Sequence, residues 1–440
     1  MPAERIPVNL APGSLKKTGS GFDLPIAAGI LAATGQIDAN FISKCVLIGE
    51  LSLEGEVRLV PGLLSIALTA RKNGLNLLCP VAPEHLVDME NISMYTIDNL
   101  RSLYTKEFKE ADTLVSMQSS TGKDFKDISG HKIAKRAMQI AATGNHGLLM
   151  MGPPGSGKTM LAERMPSILP DLNEEEMLEA AVVHSVAGES LSDILAGKRP
   201  FRKPHHSASL PGLVGGNTPI RPGEISLAHR GVLFLDELAE FKPSVLQGIR
   251  QPMESGEVCI TRADGNVLFP ARFSLLAASN PCPCGFYGDK EIACSCAANQ
   301  VITYQNRIGG PLIDRFDMNV DVSRIPANDV LRTGNGTSSA QLKEGVIRGI
   351  KFAQKRKVEM DGKEPVKPKD IVDSCNLSEA DKEFLGTTAK QKMMSGRAIV
   401  SVLRVARTIA DIEQSPNVRL GHLSEALAFR LREQVGAYEQ

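Results

Sequence analysis

The chain has 440 residues, of which 42% are apolar and 23% charged, so it is long enough to bury a core in roughly two to four domains. Its formal net charge is zero, which excludes a general electrostatic attraction to nucleic acid or membranes, so a polyanion would have to bind a local patch or an assembled ring. The sequence has no signal peptide and no apolar stretch of about 18 residues, which predicts a cytoplasmic protein without a membrane partner.

The first 105 residues have the pattern of a small α/β unit. Apolar spacing predicts helices over residues 22–34 and 63–72. Short apolar runs predict strands over residues 46–48, 57–60 and 75–79. Because a polar stretch follows, we expect a domain over residues 1–105 and a linker over residues 106–126.

A glycine-rich loop lies between a short apolar run and a helical pattern. It consists of Gly152, Pro153, Pro154, Gly155, Ser156, Gly157, Lys158 and Thr159. This spacing after a strand and before a helix is typical of loops that bind the phosphates of a nucleoside triphosphate. We expect Lys158 to reach the β- and γ-phosphates of ATP and the Thr159 hydroxyl to coordinate Mg²⁺. The alternative is a glycine-rich turn with a chance lysine.

A second motif argues against that alternative. An apolar strand predicted over residues 232–235 ends in Asp236 and Glu237. Beside a phosphate loop, Asp236 would complete the Mg²⁺ site and Glu237 would polarise an attacking water. Acids also close strands as ordinary turn residues. Together with the loop, however, this pair predicts ATP hydrolysis rather than binding alone.

Residues 127–326 alternate helical patterns with apolar runs, which predicts an α/β domain with a parallel sheet covered on both faces. Strands are predicted over residues 148–151, 232–235, 273–278 and 318–322. Residues 327–440 have a helical pattern throughout. Apolar residues recur there at the spacing of a buried helix face over residues 398–413, and a last helix is predicted over residues 423–434.

Half of the 8 cysteines cluster in an insertion over residues 282–296. These are Cys282, Cys284, Cys294 and Cys296. Two Cys-x-Cys pairs can offer four thiolates to a single tetrahedral ion, and Zn²⁺ is the natural candidate. Because four protein ligands leave no open position, such an ion would be structural. The alternative is a set of reduced thiols in a loop.

Longer stretches of the sequence carry a family resemblance. They cover residues 201–209, 222–229, 231–241, 279–285 and 310–317. With the phosphate loop, they resemble the ComM/YifB-type, Mg-chelatase-like AAA+ ATPases over nearly the whole chain. The resemblance implies an AAA+ P-loop parallel sheet core over residues 127–326 and an all-helical lid of the Mg-chelatase C-terminal type over residues 327–440.

The resemblance also implies roles for three polar residues. Asn280 resembles the sensor 1 residue that orients water against the γ-phosphate, and Arg397 resembles sensor 2. Arg315 resembles the arginine finger, which acts on the neighbouring subunit's nucleotide. The alternatives are that Arg315 pairs with Asp314 or Asp317 and that Arg397 is a solvated helix residue. If both arginines contact nucleotide in this way, the site lies between subunits.

His205 and His206 form an adjacent pair within the first of these stretches. Adjacent histidines can suggest a metal site. Because no third ligand is visible nearby in the sequence, we expect a structural or subunit-interface role for them instead.

Residues 1–105 resemble the C-terminal part of the Lon-protease-like α/β domain that precedes the motor in this family. Family members carry more residues before the segment equivalent to residues 5–12, so we expect a domain truncated at its start. Lon-type proteolysis needs a serine in a glycine-rich turn and a lysine base. The matching turn, residues 18–23, does not place Ser20 in register, and Leu64 stands where the lysine is expected. We therefore expect no proteolytic activity.

The resemblance implies a homo-oligomer, a hexameric ring that hydrolyses ATP as a DNA helicase or branch-migration factor in DNA uptake or recombination. Basic residues outnumber acids between residues 343 and 407, and they would either contact DNA phosphates or form a solvated helix face. One alternative is a motor subunit for metal insertion, as in magnesium chelatase. Another is a nucleotide-gated scaffold that binds ATP without turnover.

Overall fold

The computed structural model describes residues 6–10, 20–82, 91–112, 122–216, 220–262, 265–289, 291–325, 336–359 and 368–430. Several predictions fall partly outside these ranges: the boundary at residue 326, residues 113–121 of the linker, residues 18–19 of the protease-like turn, and residues 431–434 of the last helix. Among the described helices, none combines the length and the apolar character needed to cross a membrane.

The N-terminal unit is a small mixed sheet flanked by helices. Its strands are β1 (Cys45–Leu47), β2 (Glu50–Leu51), β3 (Val57–Arg58), β4 (Asn76–Pro80), β5 (Met94–Ile97) and β6 (Lys109–Glu110). Strands β1, β4 and β5 are parallel neighbours, β6 is antiparallel to β5, and β2 and β3 form a separate antiparallel pair. The helices are α1 (Asp23–Ala33), α2 (Ala39–Ile42), α3 (Leu63–Lys72) and α4 (Ser102–Thr105). Both predicted helices of this unit are confirmed, whereas the strands β2, β5 and β6 were not predicted from the sequence.

The next unit contains a five-stranded sheet in which every neighbouring pair is parallel. Its strands are β7 (Leu148–Met151), β8 (Phe201–Arg202), β9 (Val232–Leu235), β12 (Ser274–Ser279) and β13 (Met318–Asp321). They lie in the order β13-β7-β12-β9-β8. The helices are α5 (Lys132–Gly144), α6 (Lys158–Ala162), α7 (Glu174–Ala187), α8 (Ser192–Leu195), α9 (Leu210–Val214), α10 (Glu224–Leu227), α11 (Pro243–Ser255), α12 (Ala298–Asn306) and α13 (Gly310–Ile313).

Both faces of this sheet are buried. Successive side chains of a strand point to opposite faces, and those of β7 join a different hydrophobic cluster on each face. In β7, Leu148 and Met150 join a hydrophobic cluster with α5 and α6. Leu149 and Met151 join a second cluster with α10 and α11. The predicted parallel sheet covered on both faces is therefore confirmed.

An antiparallel hairpin interrupts the alternation of helices and parallel strands. It consists of β10 (Glu257–Arg262) and β11 (Gly265–Pro270). Val258 and Ile260 are buried on one face of the hairpin and Cys259 is exposed on the other, as expected for a half-buried strand. The simple alternation predicted for residues 127–326 missed this hairpin.

The N-terminal unit packs against the unit with the five-stranded sheet through α3 and α7. Leu64 is completely buried in a hydrophobic cluster that also contains Ala180 and Ala181. The Leu64 backbone N–H donates a hydrogen bond of 3.1 Å to Ser185 Oγ. The position where a Lon-type lysine was expected is thus an apolar contact between the two units.

The C-terminal part is all helical within the described residues. Its helices are α14 (Ser339–Glu359), α15 (Pro368–Cys375), α16 (Glu379–Gln391), α17 (Gly396–Ile412) and α18 (Leu420–Arg430). Helix α17 begins after Ser395, whose Oγ accepts the backbone N–H of Ala398 at 3.2 Å, an N-cap that satisfies one free donor of the first turn. Its buried face shares one hydrophobic cluster with α5 and the sheet.

Two of the basic residues of this helical part are structural. Arg407 is 5% exposed, and its guanidinium pairs with Asp411 at 3.0 Å. Arg356 pairs with the same carboxylate at 2.9 Å. Asp411 therefore ties α14 to α17, and neither arginine belongs to a solvated face.

Asp317, just before β13, joins the sheet to the helical part. Its carboxylate accepts hydrogen bonds from Ser401 Oγ at 2.8 Å and from the Gly147 N–H at 3.3 Å. His146 Nδ1 lies 3.4 Å away and Arg404 Nη1 3.7 Å away. Burial alone would raise the pKa of Asp317, but His146, Arg404 and Ser401 outweigh it and hold that pKa well below its usual range.

We expect Asp317→Ala to destabilise the fold by about 3 kcal/mol near neutral pH, because it leaves buried partners unpaired. The pKa of Asp317 is lower in the folded chain than in the unfolded chain, so its contribution is present above about pH 4 and is lost as pH falls through lower values. Calorimetric melting of both proteins across pH should show a gap that narrows in acid. Asp314→Ala, which removes a 60% exposed carboxylate, is the matched control, and an equal loss in both variants would contradict the prediction.

Candidate functional site

The glycine-rich loop joins the carboxyl end of β7 to the start of α6. Gly157 precedes α6 with φ of 89°, a left-handed conformation that favours glycine. Lys158 Nζ donates to the backbone carbonyls of Gly152 at 2.7 Å and Pro153 at 2.8 Å. Burial lowers the pKa of Lys158 to about 8, while the carboxylates of Asp236 and Glu237 counteract this shift. The loop thus places a lysine among backbone groups at the amino end of a helix, an arrangement suited to phosphate oxygens.

Asp236 lies beside this loop at the end of β9. Its Oδ2 accepts a hydrogen bond of 2.8 Å from Thr159 Oγ1, so the two predicted Mg²⁺ ligands meet. Lys203 Nζ lies 3.0 Å from the same carboxylate oxygen and 5.5 Å from the centre of the Phe234 ring. A hydroxyl and a carboxylate are hard oxygen ligands, and this donor set fits Mg²⁺.

Glu237 has an unusual backbone. Its φ of 53° and ψ of 49° lie in the left-handed region, which costs energy for a residue with a Cβ and is found often at functional sites. Its side chain is 57% exposed, and its Oε2 lies 3.2 Å from His206 Nδ1. The turn therefore holds the carboxylate at the protein surface, against an imidazole.

Lys203 and His206 are site residues for which the sequence suggested no catalytic role. The sequence predicted a structural or subunit-interface role for His206, and the structure places it against Glu237, with the centre of the tilted His205 ring 4.1 Å from its own. Both residues follow β8, which lies next to β9 in the sheet. Because carboxyl ends of parallel strands meet at one edge, a prediction of β8 as a strand would have indicated their position.

Asn280 follows β12, the strand between β7 and β9. Its Oδ1 accepts a hydrogen bond of 3.2 Å from Lys158 Nζ. The structure therefore brings Lys158, Thr159, Asp236, Glu237 and Asn280 together at the carboxyl edge of the sheet.

Arg315 and Arg397 lie together, but away from this edge. Arg315 Nη2 donates to Glu254 Oε1 at 2.7 Å, and Arg397 Nη1 lies 3.4 Å from the same oxygen. The alternative pairing of Arg315 with Asp314 or Asp317 is not present, since Asp314 contacts Arg430 and Asp317 contacts His146 and Arg404. Arg397 is half exposed, and its guanidinium is paired rather than only solvated.

The strand register places Arg315 at the end of the sheet opposite the phosphate loop, and Arg397 lies beside it through their shared contact with Glu254. Strands β13 and β7 are parallel, with Met318 beside Leu148 and Asp321 beside Met151. The phosphate loop leaves β7 at its carboxyl end, whereas Arg315 precedes the amino end of β13. A strand of this length spans about 10 Å. One chain therefore does not bring Arg315 to its own phosphate loop.

The clustered cysteines follow Asn280 directly. The Sγ of Cys282 lies 3.4 Å from that of Cys284 and 3.7 Å from that of Cys294, and the Cys284–Cys294 sulfur distance is 3.5 Å. With Cys296, the four sulfurs all lie within 4.8 Å of one another. Cys282 is buried and the other three are partly exposed. This group of thiols can hold one metal ion.

Three family descriptions match consecutive parts of the chain. Residues 1–82 match the family described as subunit ChlI of Mg-chelatase, and residues 124–330 match magnesium chelatase, subunit ChlI. Residues 336–430 match the C-terminal family of magnesium chelatase subunit ChlI. The matches cover the N-terminal unit up to β4, the unit with the five-stranded sheet, and the helical part.

Two similar proteins match nearly the whole chain, and a third matches a smaller part of it. It is 42% identical to competence protein ComM of Haemophilus influenzae, over 98% of this chain and 86% of that protein. It is 40% identical to protein YifB of Salmonella typhimurium, over 98% of this chain and 85% of that protein. The magnesium-chelatase 38 kDa subunit of Rhodobacter capsulatus is 27% identical over 36% of this chain and 50% of that protein.

Proposed function

The chain belongs to the ComM/YifB-type family of Mg-chelatase-like AAA+ proteins, and on that premise we propose that it is an ATP-hydrolysing ring motor that acts on DNA. The observation that supports hydrolysis most strongly is the meeting of Lys158, Thr159, Asp236, Glu237 and Asn280 at one edge of the sheet.

Each of these residues has a distinct role in the proposal. Lys158 and the loop amides bind the β- and γ-phosphates. Thr159 and Asp236 would hold Mg²⁺, which when bound offsets the charge of the phosphate oxygens. Glu237 accepts a proton from the water that attacks the γ-phosphate, and Asn280 orients that water. His206 positions the Glu237 carboxylate through their 3.2 Å contact, and Lys203 supplies a further positive charge beside Asp236.

The site is completed by a neighbouring subunit in this proposal. Arg315 and Arg397 share Glu254 at the edge of the sheet opposite the phosphate loop. A head-to-tail ring brings that edge of one subunit to the phosphate loop of the next. Both guanidinium groups can then offset charge on the transferred phosphoryl group. The proposed ring is a homo-hexamer, and a monomer would be a poor ATPase.

DNA is the proposed substrate because of the relatives. The protein named for competence matches 98% of this chain, whereas the magnesium-chelatase 38 kDa subunit matches 36% of it. The ComM-type resemblance implies a helicase or branch-migration motor in DNA uptake or recombination. On the described helices, Lys351 and Lys355 of α14 and Lys390 and Lys392 near the end of α16 are exposed, as phosphate contacts must be.

Addition of single-stranded or branched DNA should therefore raise the ATPase rate of the purified ring. Both this stimulation and DNA retardation in a gel should weaken as salt increases, because contacts with phosphate release counterions. Glu237→Gln is the matched variant, which should retard the same DNA without turnover. If DNA neither stimulates the ATPase nor is retarded at low salt, the result contradicts a DNA motor and favours a metal-insertion motor instead.

Two further assignments belong to the proposal. The N-terminal unit is a Lon-protease-like domain that lacks proteolytic activity, with Leu64 buried against α7 where a lysine base would be needed. The four clustered cysteines hold a structural Zn²⁺, since four thiolates close a tetrahedral shell.

A further inference from the structure

The loop that carries the four cysteines has the geometry of a metal-bound loop. Four sulfurs bound tetrahedrally at about 2.3 Å from Zn²⁺ lie about 3.8 Å apart. The three short sulfur–sulfur distances in the cluster, 3.4, 3.7 and 3.5 Å, are close to this spacing and much longer than the roughly 2.05 Å of a disulfide bond.

Backbone amides surround the sulfurs as well. The Tyr287 N–H points to Cys282 Sγ at 3.3 Å, the Cys284 N–H to Cys296 Sγ at 3.4 Å, and the Cys296 N–H to Cys294 Sγ at 3.4 Å. Such N–H donors stabilise negative charge on sulfur, and a thiolate is the form that binds a metal. The donor set and the surrounding amides both favour a soft tetrahedral cation.

This loop also touches the phosphate loop. Gly285 has φ of 86°, and a Cβ placed on it would lie 2.4 Å from Pro154 Cδ. Only glycine combines that backbone with so close an approach. The backbone of the cysteine loop therefore packs directly against the loop that would bind the nucleotide phosphates.

Further contacts fix the cysteine loop to the same edge of the sheet. Gln305 Nε2 donates to the Pro281 carbonyl at 2.9 Å. The Arg324 guanidinium lies 5.1 Å from the centre of the Phe286 ring and 3.9 Å from the Asp289 carboxylate. Arg324 follows β13. Directly after that strand, the Val322 N–H donates to the carbonyl of Met151 at 2.7 Å, one residue before the phosphate loop.

We propose that Zn²⁺ held by Cys282, Cys284, Cys294 and Cys296 braces the phosphate loop through Gly285 and Pro154, so that metal occupancy sets the affinity for ATP. The brace rests on the proposed function, since it acts on the same ATP site. The ion does not touch the nucleotide, and its effect passes through the contact between the two loops. It also fixes Asn280, which lies only two residues before Cys282.

The first measurement is the zinc content of protein purified without chelator, by elemental analysis. We expect about one zinc ion per chain and loss of that zinc in Cys294→Ser/Cys296→Ser. Cys259→Ser is the matched control, because Cys259 is an exposed thiol in the hairpin outside the cluster. A zinc content well below one per chain in the unaltered protein would overturn the metal site.

The second measurement is the affinity for a fluorescent, non-hydrolysable ATP analogue. We expect the dissociation constant to rise at least about tenfold in the double cysteine variant. Chelator-treated, unaltered protein should show the same rise, and its affinity should recover when zinc is added back. Gly285→Ala should keep zinc and still bind ATP more weakly, because its Cβ meets Pro154. Thermal melting shows that each variant is folded before affinities are compared.

The outcomes separate the brace from the function on which it rests. Unchanged ATP affinity in both the zinc-free protein and Gly285→Ala would overturn the brace while leaving the ATP site intact. Unaltered protein that contains zinc but binds no ATP analogue would contradict the proposed function, and the brace with it.

Discussion

Glu237→Gln is expected to lower the ATPase rate by about 10²-fold or more while leaving ATP bound. Glutamine has nearly the shape of glutamate but cannot accept a proton from the attacking water. Lys158, Thr159 and Asp236 are unchanged in this variant, so the phosphate and Mg²⁺ contacts remain. Turnover is measured by phosphate release, and binding is measured with a fluorescent ATP analogue.

Glu240→Gln is the matched control for this experiment. Glu240 lies on the turn that follows Glu237, is partly exposed, and pairs with Arg307 at 3.6 Å. Removing its charge should leave turnover close to that of the unaltered protein. If Glu237→Gln hydrolyses ATP at the normal rate, Glu237 is not the residue that activates water.

Arg315→Ala is expected to lower the ATPase rate by about 10³-fold, the usual effect of removing an arginine that stabilises the transition state. ATP binding should change little, because Arg315 lies at the sheet edge opposite the phosphate loop of its own chain. The fold should also be kept, since Glu254 is half exposed and still contacts Arg397. Steady-state turnover, analogue binding and thermal melting measure these three effects.

Arg307→Ala serves as the control for Arg315→Ala. Arg307 is a more exposed arginine at the end of α12, and its guanidinium contacts Glu240 and lies 5.7 Å from the Tyr304 ring. Loss of a surface pair of this kind costs little, so its turnover should stay near normal. A comparable loss of activity in both variants would indicate a general disturbance rather than a specific role for Arg315.

The parts of the fold that the sequence predicted well are those with local patterns. Strands β7, β9 and β12 are buried throughout, and β13 alternates buried apolar residues with polar ones. Each of the four was predicted within one residue of its observed start. The phosphate loop and the Asp236–Glu237 pair are contiguous motifs, and their geometry follows from the parallel sheet that carries them. The structure brings these residues together as the motifs indicated.

The parts that were not predicted depend on contacts between distant residues. Lys203 reaches Asp236, and His206 reaches Glu237, only because the two-residue strand β8 lies beside β9. Glu254 joins Arg315 to Arg397 across 61 and 143 positions of sequence. A charge in the sequence does not identify its partner at such separations, as the burial of Arg407 against Asp411 also illustrates.

In the proposed ring, each ATP site is shared between two subunits. Lys158→Ala should lose ATP binding, and Arg315→Ala should lose turnover, so neither ring is active alone. Rings that contain both variants, isolated through two different affinity tags, should regain activity. In such a ring, an Arg315→Ala subunit supplies an intact Lys158, and a neighbouring Lys158→Ala subunit supplies an intact Arg315. About a quarter of the interfaces in an equal mixture combine the two in the order that completes a site. Recovery of ATPase activity in these mixed rings is the predicted result, and mixed rings as inactive as either parent would contradict the account.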